Sequence, residues 1–118
     1  MSDLLEINPN GLYCPAGNFY IDPWRQVSHA VITHAHADHA RPGSERYLCA
    51  SSGKHVLRTR MGNNATIDTV KYGEHFSIHG VDVSLHPAGH LLGSSQVRVN
   101  HRGVTWVVTG DYKLDRKS

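Results

Sequence analysis

Ala30-Val31-Ile32-Thr33-His34-Ala35-His36-Ala37-Asp38-His39 is the stretch from which the fold is read. Three imidazoles and a carboxylate follow a short apolar run almost without interruption. Imidazole nitrogen and carboxylate oxygen are the ligands of zinc-like metals. If the strand extends through Thr33, His34 and His36 project on the same side, because side chains alternate along extended backbone. Ala35 and Ala37 keep the intervening positions small. Asp38 and His39 then fall at a turn into a helix and reach a second point nearby. One segment thus offers ligands to two adjacent metals, and two metals roughly 3.5–4 Å apart clamp both the attacking and leaving oxygens of a displacement. The first expectation is therefore a metal site and metal-assisted hydrolysis.

Two later features support it. His90 lies in His86-Pro87-Ala88-Gly89-His90-Leu91-Leu92-Gly93-Ser94-Ser95, just after a strand that ends near Leu85. Pro87 and Gly89 argue against a helix, so His86 and His90 are not an i,i+4 pair. A histidine on a Gly-flanked loop at a strand end is well placed as a third imidazole ligand. Asp111 follows the apolar run ending at Thr109, across Gly110, where a carboxylate suits a bridge between two metals. His86 is expected near or behind the site. His29, His55, His75, His79 and His101 have no ligand spacing and are expected on surfaces or strands.

Around these motifs the chain reads as short strands between Gly, Pro and Asn turns. Leu12-Tyr13-Cys14 and Phe19-Tyr20-Ile21 flank a hairpin turn at Pro15-Ala16-Gly17-Asn18. Tyr47-Leu48-Cys49-Ala50 is a further strand. Ser51 or Ser52 is expected to cap a helix reaching about Met61, with Gly62 as its stop. Strands follow over 66–72 and 75–78. Val81, Val83 and Leu85 alternate, as do Val97 and Val99, while Val104 to Val108 reads as a fully buried strand. The class is α/β or α+β with most strands antiparallel.

The 118 residues suit one small domain, 1–118, without internal linker or repeat. A net charge of +2 neither requires nor excludes a nucleic-acid partner. The ten histidines are the compositional anomaly, and they are scattered rather than a tag. Cys14 and Cys49 have no metal-binding spacing and are expected as buried, reduced thiols in a cytoplasmic protein. No basic segment precedes an apolar one at the start, so no signal peptide is expected, and no apolar run approaches a membrane span. Lys54, Arg58 and Arg60 are expected on a solvated helix face.

The motifs together resemble the metallo-β-lactamase superfamily. His34-Ala35-His36-Ala37-Asp38-His39 matches its HxHxDH motif, His90 its third-motif histidine and Asp111 its bridging aspartate. Asp22, ending Phe19-Tyr20-Ile21-Asp22, resembles the first-motif aspartate, which orients the site without ligating metal. Gly11-Leu12-Tyr13-Cys14-Pro15-Ala16-Gly17, Ile21-Asp22-Pro23-Trp24, Ala40-Arg41-Pro42-Gly43, His86-Pro87-Ala88-Gly89-His90 and Thr109-Gly110-Asp111-Tyr112-Lys113 are similar to the DNA ligase-associated exonucleases, in the β-CASP-like nuclease branch.

That resemblance implies an αββα sandwich, of which 118 residues are the N-terminal half, so the chain is expected to be truncated. It implies that His34, His36 and His90 hold one metal, and that Asp38 and His39 hold a second, with Asp111 bridging. Zinc is favoured, and manganese or iron is admitted by the carboxylates. The last histidine of the second site would lie beyond Ser118. The implied activity is exonucleolytic cleavage of DNA by a metal-activated hydroxide, with Asp38, His39 and Asp111 catalytic and a role in DNA repair beside a ligase or helicase. The alternatives are an RNA-processing nuclease, a small-ester or thioester hydrolase, or an inactive metal-binding fragment. A half-sandwich is also expected to leave Val81, Val83, Leu85, Val104, Trp106 and Val108 exposed, and so to pair with another copy or with the missing half.

Overall fold

The computed structural model describes residues 4–33, 43–62, 65–87, 95–108 and 114–117. They form two packed sheets. The first has six strands in chain order: β1 (Glu6–Asn8), β2 (Gly11–Cys14), β3 (Phe19–Ile21), β4 (His29–Val31), β5 (Arg46–Ala50) and β6 (Thr66–Val70). The second has five: β7 (His75–Ile78), β8 (Val81–Pro87), β9 (Ser95–His101), β10 (Val104–Val108) and β11 (Leu114–Lys117). A single α-helix is described, α1 (Lys54–Met61), between β5 and β6.

The hairpin read at residues 12–21 is present, with Leu12 opposite Ile21 and Cys14 opposite Phe19. The second sheet is antiparallel throughout. In the first sheet, however, every pairing from β3 to β6 is parallel. The near-continuous apolar runs at Ala30-Val31-Ile32 and Tyr47-Leu48-Cys49-Ala50 are the trace of this, because parallel strands are covered on both faces. Val31 and Leu48 point into the core between the sheets. Ala30, Ile32, Tyr47 and Cys49 point the other way, against Leu57 of α1. The layers are thus helix, sheet, sheet.

The expectation of a wet apolar face is corrected. Val81, Val83, Leu85, Trp106 and Val108 are all buried, and Val104 is half-buried against them. They pack on Leu5, Leu12, Phe19, Ile21 and Val70 of the first sheet, so the apolar face is closed within the chain. This removes the reason given for self-association. Val104 to Val108 is not fully buried, since Val104 and Val107 are half-exposed beside buried Thr105, Trp106 and Val108. The helix start also differs. Ser51–Gly53 forms a 3-10 turn, Gly53 is the N-cap, and no side chain caps α1. Gly62 does end the helix, at φ +88°, with its N–H donating to the Arg58 carbonyl at 2.9 Å. Arg58 is no simple solvated cation, because its Nη1 donates to the carbonyls of Gly62 (3.1 Å) and Ala65 (2.6 Å), tying the helix end to the entry of β6.

Cys14 and Cys49 are buried free thiols. Burial pushes both thiols up, that of Cys49 to about 11. Since the thiolate is the reactive form, the folded protein should react slowly with a disulfide reagent at neutral pH, and both thiols should appear promptly once denaturant is added.

Candidate metal centre

The segment carrying His34, His36, Asp38 and His39 lies outside the described residues, as do His90 and Asp111, but the backbone that launches each of them is described. β3 and β4 run parallel, with Ile21 beside Val31. Asp22 follows β3 in the left-handed region, at φ +48°. Its N–H donates to the Val31 carbonyl at 2.9 Å. Its carboxylate turns back across the sheet end, where Oδ1 accepts the Thr33 N–H at 2.8 Å and Oδ2 accepts the Thr33 hydroxyl. Asp22 and Thr33 are each only 1% exposed. On the opposite side the Ile32 N–H donates to the Leu48 carbonyl at 2.8 Å. The strand end is therefore held from both flanks up to the residue before His34.

The return of the chain is held as well. Ser44 is buried; its N–H donates to the Tyr47 hydroxyl at 2.9 Å and its Oγ accepts the Val27 N–H at 3.1 Å. The Glu45 N–H adds a bond to the Val27 carbonyl at 3.0 Å. Gly43 has φ +99°, and a Cβ there would meet the Gln26 side chain at 2.3 Å. The motif is thus bracketed by two fixed points.

In the second sheet, Pro87 of β8 sits opposite Ser95 of β9, and Val97 of β9 lies opposite both Leu85 of β8 and Val108 of β10. β8 and β10 therefore end on one side of that sheet, where the chain goes on toward His90 and Asp111. The other end of the sandwich fixes the relation between the sheets. His79, in the turn before β8, has its Nδ1 2.7 Å from the Gly17 carbonyl in the turn before β3. His79 also lines a cavity of about 300 Å³ with His29, the first residue of β4. β3, β4 and β8 thus start together, and aligned sheets keep their strands within about 30° of one another. Aligned packing of this kind would bring the ends of β4, β8 and β10 to one end of the sandwich. Ser84 Oγ is 2.9 Å from His86 Nε2, so His86 is engaged within β8 on the half-buried outer face.

The opposite-end cavity also contains Arg46, Asp68, Phe76, Ser77 and Ile78. Arg46 Nε and Asp68 Oδ2 form an ion pair at 3.0 Å. Contact is ionic rather than directed, since Asp68 Oδ2 has no hydrogen-bond partner among the described residues, nor does His29 Nε2. His29, expected on a surface or a strand, is the first residue of β4 and is half-buried here. Burial holds its pKa below 6.5, assisted by Arg46 and His79 and opposed by Asp68. A histidine with a depressed folded pKa takes up fewer protons than the unfolded chain. Its contribution is complete above pH 6.5 and is lost as the pH falls from there through the folded value. Urea midpoints followed from pH 7.5 downward should fall more steeply for the native chain than for His29→Gln. None of the described residues group as three or more potential metal ligands, here or elsewhere.

No family model matches the chain. Among solved structures, a metallo-β-lactamase of Cronobacter sakazakii with a HARLDQ motif superposes with a TM-score of 0.57 at 16% identity, over 87% of this chain and 55% of that one. CmlA, a diiron β-hydroxylase from Streptomyces venezuelae, superposes with a TM-score of 0.53 at 20% identity, over 74% of this chain and 21% of that one. The fold is that of the metallo-β-lactamases, and the chain forms part of it. In sequence, a probable DNA ligase of Opitutus terrae is 30% identical over 109 residues, which are 91% of this chain and 11% of that protein. The chain thus spans a small part of the curated relative it matches.

Proposed function

We propose that this chain carries most of the metal centre of a metal-dependent nuclease that hydrolyses phosphodiester bonds, with DNA the favoured substrate and exonucleolytic action implied by the subfamily resemblance. The observation that carries the reading is the β4 exit, where the buried Asp22 carboxylate accepts the N–H and the hydroxyl of Thr33, the residue before His34. In the chain, His34, His36, Asp38 and His39 follow β4, His90 follows β8 and Asp111 follows β10. The donor set is imidazole and carboxylate, which suits zinc and admits manganese or iron. His34, His36 and His90 would hold one ion, Asp38 and His39 a second, and Asp111 would bridge them. Such ions supply Lewis acidity toward water and phosphate oxygens.

The part played by the described residues is positional. Asp22, buried and bonded twice to Thr33, fixes the backbone at the residue directly before His34. Ser44 and Tyr47 fix the point of return. Rigid support of this kind matters because small displacements of a catalytic group cost large factors in rate. The name of the Opitutus relative supports DNA over other substrates. It is also consistent with action beside a ligase or helicase in repair. No helix among the described residues is long and apolar enough to cross a membrane.

The test is a substrate panel on the native gene product, with zinc or manganese: single-stranded DNA, RNA of the same sequence, and a small ester and thioester. Cleavage of DNA in preference to the rest is expected. Preference for RNA or an ester would redirect the assignment within the fold, and metal bound without any hydrolysis would favour a binding role.

A further inference from the structure

Trp24 is 42% exposed, unusual for the largest apolar side chain in a molecule with a closed core. It stands two residues after Asp22, whose carboxylate holds Thr33, so it flanks the end of the sandwich from which the His34–His39 segment departs. Its backbone is fixed. Pro23 is buried, and the Trp24 N–H donates to the Asn10 carbonyl at 2.8 Å. Gly11, at φ +136°, lies so close beneath that a Cβ would meet the Pro23 Cα at 3.0 Å. Arg25, the next residue, is also exposed.

The surface continues away from Trp24. The Asn10 side chain donates to the Tyr20 hydroxyl at 3.4 Å, and Asn8 donates to it at 2.9 Å. Tyr20 pairs with Tyr13, ring centroids 4.6 Å apart and tilted by 35°. Helix α1 packs over β4, β5 and β6, whereas these aromatics belong to β2, β3 and the loop after it. An exposed indole on a fixed backbone with an adjacent cation, continuous with half-buried tyrosines, is the kind of surface on which unpaired bases stack while phosphates meet positive charge.

The geometry points to a single-stranded nucleic-acid track on the outer face of the first sheet, with Trp24 as its stacking residue nearest the metal centre and Arg25 as its phosphate contact. This rests on the nuclease reading and extends it, by naming the strand that the centre receives as unpaired. The occupant is single-stranded because a base inside a duplex has no free face to offer an indole.

The experiment is equilibrium binding of a fluorescent phosphorothioate oligonucleotide, which resists cleavage, to the native protein and its Trp24→Ala and Trp24→Phe variants, with an abasic strand of equal length in parallel. Trp24→Ala should weaken binding of the base-bearing strand between about fivefold and about a hundredfold. Trp24→Phe should retain most of the affinity, and the abasic strand should be indifferent to either change. Matching unfolding midpoints for the three proteins exclude a merely structural effect. If the native protein holds the strand and Trp24→Ala holds it equally well, the track is refuted while the nuclease reading stands. Failure of the native protein to bind any strand would remove the nuclease reading and the track together.

Discussion

Asp22→Ala should destabilise the chain by about 3 kcal/mol or more and weaken its hold on metal by roughly 10–100-fold. Two effects add in the folded state. The Thr33 N–H and hydroxyl each lose their acceptor in a site that is 1% exposed, and each unpaired buried donor costs about 1–3 kcal/mol. Alanine must also adopt φ +48°, a left-handed conformation that costs roughly 1–2 kcal/mol for a residue with a Cβ and no local hydrogen bond. Asp22→Asn separates these contributions from the loss of charge. Asparagine tolerates the left-handed backbone, its amide oxygen still accepts the Thr33 N–H, and its amide N–H donates to the Thr33 hydroxyl. It should retain most of the stability. Urea denaturation and metal titration of the three proteins check this, and equal behaviour of Asp22→Ala and the native chain would show that the β4 exit does not depend on the carboxylate.

Replacing Asp38 and His39 together by alanine should take hydrolysis to background and remove one bound ion per chain. The resemblance assigns both side chains to the second metal, and an in-line displacement needs both attacking and leaving oxygens stabilised. His34, His36 and His90 remain to hold the first ion, so metal analysis should separate the two sites. Rate and metal content must be measured on the same preparation, with the unfolding midpoint as control. Surviving hydrolysis would mean that the segment is not the reacting centre.

The sequence was most legible where residue type alone constrains geometry. Asp22, read as the residue that orients the HxHxDH segment, proved to be bonded to Thr33, the residue directly before that motif. Strand positions in the second sheet followed from clean alternation at Val81, Val83 and Leu85. Strand direction in the first sheet was not legible in this way, because alternation is the same for parallel and antiparallel neighbours. Double-sided burial at Ala30-Val31-Ile32 and Tyr47-Leu48-Cys49-Ala50 distinguishes them, and such short runs are a weak signal. The cap of α1 was misread because Ser51 and Ser52 sit in a 3-10 turn that delays the helix to Lys54. The closure of the core was missed for a different reason. Sharing of Val81, Leu85 and Val108 with Leu12 and Ile21 is a contact between distant parts of the chain, and no local pattern records it. His29 was set aside for lack of ligand spacing, yet its burial depends on Arg46, Asp68 and His79, which come together only in the fold.

The most direct test of the account is hydrolysis of single-stranded DNA by the native gene product before chelation, after complete removal of metal, and after return of zinc or manganese. A centre built on His34, His36, Asp38, His39, His90 and Asp111 predicts loss of cleavage on chelation and recovery on reloading. Undiminished cleavage by the metal-free protein would contradict it.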